Sequence, residues 1–150
     1  MKTKRVYAMF APEDFGAAKV LEKHLWRYNY IDNYNLEGGE GKSPLPLVRV
    51  ADTVVLLVSA EMLWGLHSGE PQSAGVMAAL LSARQEGRLV TALVRQVDLS
   101  DLEVFRVGEG EFECDVRRVD DVDAWATAIS RRVAAALKKR GDGEWTRGPE

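Results

Sequence analysis

Residues 51–59 read Ala51-Asp52-Thr53-Val54-Val55-Leu56-Leu57-Val58-Ser59, or ADTVVLLVS. The centre is continuously apolar and rich in β-branched residues, and polar residues bound it on both sides. A strand wetted on one face alternates apolar with polar, whereas a strand covered on both faces does not. Thr53 to Ser59 therefore reads as an interior strand of a parallel sheet.

On the N-terminal side, Lys4 to Phe10 (KRVYAMF) is a second apolar run that stops at Ala11-Pro12. It reads as a first strand, also buried on both faces. Asp14 stands where a helix cap is favoured. Ala18, Leu21, Leu25 and Tyr28 follow at three- and four-residue steps, which line one helix face. Tyr30 to Asn33 reads as a short strand and Leu36 to Lys42 (LEGGEGK) as a glycine-rich loop. Ser43-Pro44 suits the opening of a short helix, with proline at its first position.

On the C-terminal side, an irregular stretch from Trp64 to Glu70 leads into a helix from about Pro71 to Gln85, which Gly87 ends. Arg88 to Val94 is the next buried strand. Asp98 to Phe105 reads as a short helix or turn, and Phe112 to Arg118 as a last short strand. From Asp123 to Arg140, Trp125, Ile129, Val133 and Leu137 repeat every fourth residue on the inner side of a helix. Lys138, Lys139 and Arg140 suit its last turn. Residues 1–140 thus form one domain, and the polar residues 141–150 read as a flexible tail or linker.

Strands alternating with helices imply a doubly wound α/β fold around a mostly parallel sheet, here of five strands. Such sheets bind ligands outside the carboxyl ends of their strands, where the strand order reverses. Those ends are the loops after Phe10, near Leu36, after Ser59 and after Val94.

Composition narrows the function. The chain has 150 residues, 46% hydrophobic and 29% charged, which is an ordinary globular mixture. Twenty-three acidic residues against 20 basic ones leave a formal net charge of -3. That balance gives no reason to expect direct nucleic-acid or anionic-membrane binding. The lone Cys114 forms no internal disulfide, and with two histidines in the chain a metal site is not expected. No run is long enough for a membrane span, and the N-terminus lacks a signal-peptide pattern, so a cytoplasmic location is expected.

Gly41-Lys42-Ser43 resembles the end of a phosphate-binding P-loop, but Leu36 stands where that loop needs its first glycine. The strand Thr53 to Ser59 ends in serine, where an aspartate would hold magnesium. The stretch reads as a loop.

Four blocks together resemble bacterial TIR (Toll/interleukin-1 receptor-like) domains: VYAMFAPEDF, NYNLEGGEG, ADTVVLLVSAEML and VDDVDAWATAISRRV. They span Val6 to about Leu137. The chain departs from the family pattern at Met9, where a serine is usual, and at Asn33 and Asn35, where aspartates are common. The resemblance implies a flavodoxin-like three-layer fold with a central, mostly parallel five-stranded sheet. It also implies cleavage of the nicotinamide–ribose bond of NAD+, by hydrolysis or cyclisation, in a defence setting. Self-assembly through TIR–TIR contacts would activate it, and a partner effector or sensor protein is possible in such systems. NAD+ would be the substrate, with no other cofactor.

By the same resemblance Glu70, eleven residues after Ser59 (70 − 59 = 11), is the candidate catalytic carboxylate. Phe10, Ala11, Gly39 and Trp64 are the candidate substrate contacts. Loss of nicotinamide leaves positive charge on the ribose, and one carboxylate beneath it can stabilise that charge. Aromatic rings can stack on nicotinamide, and the loop around Gly39 can order over the substrate. Each residue also has a plainer reading. Glu70 precedes Pro71 and suits a helix start without any catalysis. Phe10 and Trp64 suit core packing, and His67 a solvated loop. Two other functions stay open: a non-enzymatic TIR interaction module, and a sensor that binds NAD-like nucleotides without turning them over.

Overall fold

The computed structural model describes residues 4–33, 45–59, 62, 71–94, 116 and 121–147. Four strands run in parallel: β1 (Arg5–Met9), β2 (Asn29–Asn33), β3 (Thr53–Val58) and β4 (Leu89–Leu93). Their order across the sheet is β2-β1-β3-β4. The helices are α1 (Phe15–His24), α2 (Leu45–Val50), α3 (Pro71–Gln85) and α4 (Val122–Arg147). A 3-10 turn, Pro12–Asp14, leads into α1.

Every residue of β3 and β4 is buried, as expected for strands covered on both faces. Successive side chains alternate between two cores. Val6, Ala8, Phe10, Val55, Leu57, Val90 and Ala92 pack on one face against Leu21 of α1 and against Trp125, Ile129 and Val133 of α4. Tyr7, Met9, Val54, Leu56, Val58, Leu89 and Leu93 pack on the other face, against Val48 of α2 and against Val76, Leu80 and Ala83 of α3. The result is three layers, with the sheet in the middle.

Sequence reading expects five strands; the described residues form four. At the fifth position stands a single parallel bridge, Ala92 to Val116. The Leu93 N–H donates to Val116 O (2.9 Å) and the Val116 N–H to Thr91 O (3.1 Å). Val116 lies inside the expected strand, Phe112 to Arg118. The other residues of that stretch, and those of Asp98 to Phe105, lie outside the described residues.

Local chemistry explains the helix ends. Gly87 closes α3 with φ 75°, a left-handed conformation that glycine adopts without steric cost. Asp121 caps α4, its Oδ1 accepting the N–H groups of Asp123 (2.9 Å) and Ala124 (3.4 Å). The helix continues seven residues past the expected end at Arg140, to Arg147. A formed helix propagates at little cost, and each glycine on the way weakens it by only about 1 kcal/mol. Among the described residues no helix is long and apolar enough to cross a membrane.

Candidate functional site

The connection leaving β1 passes through α1 on one face and reaches β2 at the sheet edge. The connection leaving β3 passes through α3 on the opposite face and reaches β4. The strand order therefore reverses between β1 and β3. In an open parallel sheet that reversal opens a crevice at the carboxyl ends of the two strands.

On the β1 side the chain leaves through Phe10 and Ala11. Both are buried, and Phe10 lies completely within the cluster beneath α1 and α4. Ala11 is extended (φ −77°, ψ 152°), and its carbonyl accepts the Asp14 N–H at 2.8 Å. Neither of these two candidate contacts presents an accessible side chain. Among the described residues, Phe15 next to them presents an accessible ring, 48% exposed. Its centroid lies 6.3 Å from that of Phe10, and Lys19 Nζ lies 4.9 Å from it. Sequence reading misses Phe15 because an aromatic at the first position of a helix carries no signal of which way it faces.

Asp14 corrects an expectation. It stands before α1 but makes no side-chain capping bond, and the residue is 3% exposed. A capping residue needs an extended backbone to turn its side chain back on the helix. Asp14 (φ −103°, ψ 15°) is instead the last residue of the 3-10 turn. The Phe15 N–H is already satisfied by Pro12 O in the preceding turn.

On the β3 side, Ser59 is fully buried, and its Oγ accepts the Met62 N–H at 3.2 Å. The serine that closes the ADTVVLLVS run therefore gives its side chain to the backbone three residues on. The Val94 N–H donates to Val58 O at 3.1 Å, tying the ends of β3 and β4 together. Glu70, Gly39 and Trp64 lie outside the described residues, as does His67; α3 begins at Pro71, the residue after Glu70.

The Ala-Asp pair that opens the run works at the other end of the sheet. Asp52 Oδ2 accepts the Arg5 N–H (2.8 Å), and the Asp52 N–H donates to Arg5 O (2.9 Å), which fixes where β1 and β3 begin to pair. Ala51 O accepts a bond from the Arg88 guanidinium (2.9 Å). Next to these residues a groove of about 630 Å³ opens between α2 and α3. It lies at the amino ends of the strands, away from the crevice.

Among the described residues no three His, Cys, Asp or Glu side chains gather as metal ligands. No protein-family model, curated protein or solved structure matches the chain.

Proposed function

We propose that this chain is a TIR-type domain that cleaves the nicotinamide–ribose bond of NAD+, with Glu70 as the catalytic carboxylate. One observation carries the reading. The strand order reverses between β1 and β3, and these two strands belong to the VYAMFAPEDF and ADTVVLLVSAEML blocks of the resemblance. A ligand crevice is expected at that reversal. The order β2-β1-β3-β4, with Val116 bridging beyond β4, also fits a flavodoxin-like sheet of five strands.

In this reading the carboxylate stabilises the positive charge that develops on the ribose as nicotinamide leaves. The exposed ring of Phe15 joins Trp64 as a surface for the nicotinamide or adenine ring, and Phe10 supports it from behind. The loop containing Gly39 closes over the substrate when copies of the domain assemble.

The complete burial of Phe10 and the near-complete burial of Ala11 favour a second reading, an interaction module without catalysis. Nicotinamide release by purified protein, at high concentration with a crowding agent, separates the two. The enzyme reading expects release by the wild type and none by Glu70→Gln, with both proteins equally folded. Equal release by both moves the site away from Glu70. No release by the clustered wild type leaves the interaction module.

A further inference from the structure

The groove at the amino end of the sheet holds charge that the fold does not fully use. Arg49 and Val50 of α2 form one wall, and Gly75, Ala78, Ala79 and Ser82 of α3 form the floor. With side chains this small, a ligand can approach the helix backbone closely.

Arg88 enters from the start of β4 and is 8% exposed. Its Nε donates to Glu86 Oε1 (2.6 Å), and its Nη1 donates to Val48 O (3.0 Å) and Ala51 O (2.9 Å). A guanidinium has five N–H donors, and these bonds use three. The two on Nη2 have no partner among the described residues. Arg88 lines the groove and its Nη2 is open to water, so an acceptor on a ligand would take the place of that water. Arg49 is exposed and likewise has no hydrogen-bond or ion-pair partner among the described residues.

The same groove carries acceptors. Asp52 uses Oδ2 on the Arg5 N–H, and Glu86 uses Oε1 on Arg88. The second oxygen of each carboxylate has no partner among the described residues. Two guanidinium groups and two carboxylates thus line one space with no net charge. A simple anion would meet both carboxylates, and a simple cation both guanidinium groups. A molecule carrying both signs a few ångströms apart satisfies all four.

We propose that this groove binds a zwitterionic small molecule of the amino-acid or short-peptide class. Its carboxylate sits against Arg88 Nη2 and Arg49, and its ammonium group faces Asp52 and Glu86. The volume falls in the usual range for small-molecule sites. The inference is independent of the NAD+ reading, because the groove and the crevice lie at opposite ends of the strands.

Amide chemical shifts of the full chain test it. The probes are glycine, glutamate, arginine, leucine, tryptophan and dialanine, each to about 20 mM, with acetate and methylammonium as controls of single charge. The proposal expects saturable shifts at Gly75, Ala79, Ser82 and Arg88 with at least one zwitterion and not with either control. Arg49→Gln should weaken that binding at least about fivefold, through loss of a charge-assisted bond, and leave the fold intact. Ala78→Leu, which fills the floor from an exposed position, should abolish it. No saturable shift with any zwitterion, the same shifts with acetate alone, or unchanged binding in Arg49→Gln would each overturn the proposal.

Discussion

His24 at the end of α1 lies 3.3 Å from Asp123 at the start of α4, Nε2 to Oδ1. The other ring nitrogen, Nδ1, lies 3.4 Å from Thr127 Oγ1, which gives its own proton to Asp123 O (2.8 Å). The first and last helices are therefore tied by a polar clasp at the rim of the core they share. Asp123 is 75% exposed at its side chain, so solvent screens the clasp heavily. Asp123→Asn should lower stability by less than about 1 kcal/mol. Leu21→Ala, buried under the same helix pair, should cost about 2–5 kcal/mol. Urea melts of both variants check this, and a larger loss at Asp123 than at Leu21 would show that the clasp, not the apolar contact, joins the helices.

Arg88 is a stabilising residue whatever the groove binds. It bonds two carbonyls at the end of α2, Val48 and Ala51, across forty and thirty-seven residues of chain. Arg88→Met keeps much of the volume but leaves those carbonyls and Glu86 without their donor. The expected loss is about 3 kcal/mol, read as a lower urea midpoint at unchanged slope. Arg88→Lys should recover only part of it, since an ammonium group cannot reproduce the planar fork.

Two glycines should respond in opposite directions to the same substitution. A methyl group at either Gly16 or Gly87 meets no atom within 4 Å, so only the backbone decides. Gly16 lies near the start of α1, and Gly16→Ala should stabilise by about 0.5–1 kcal/mol. Gly87 has a positive φ, and Gly87→Ala should cost about 1–2 kcal/mol. Thermal melts of the pair decide it; a stabilised Gly87→Ala would mean that α3 does not end in the left-handed turn.

Ser59→Ala removes the acceptor for the Met62 N–H and should cost about 1 kcal/mol. Because Ser59 is fully buried, the loss should be insensitive to salt. If Ser59→Ala instead left stability unchanged, its bond to Met62 would be incidental.

The strands were legible because both of their faces are buried: a continuous apolar run survives no other placement, and β3 and β4 lie within a residue or so of their expected limits. The start of α3 at Pro71 and the four-residue repeat of α4 were equally plain, since proline and helical period act locally. Asp14 misled because a capping preference presumes an extended backbone, and the turn before it had already begun to coil. Asp121, the cap that α4 does use, carries the same local signal two residues before the expected helix start. Of the candidate site, the chain order showed where the strands end but not which aromatic faces outward: Phe10 lies in the core and Phe15 at the surface. The groove left no trace in the sequence, because its key bonds join Arg88 to residues about forty positions away.

The clasp between α1 and α4 has a further consequence during synthesis. The apolar face formed by Val6, Ala8, Val55, Leu57, Val90 and Ala92 needs both helices as its cover, and the second is among the last parts of this sequence to be made. A ribosome adding roughly 5–20 residues per second takes on the order of ten seconds to travel from β1 to the end of α4. Once β4 is made, and until α4 follows, the growing chain carries a half-covered, strand-forming surface. Its nascent form is therefore a natural client for chaperones, and sequence changes that weaken Trp125 or Ile129 should reveal themselves first as poor yield in the cell.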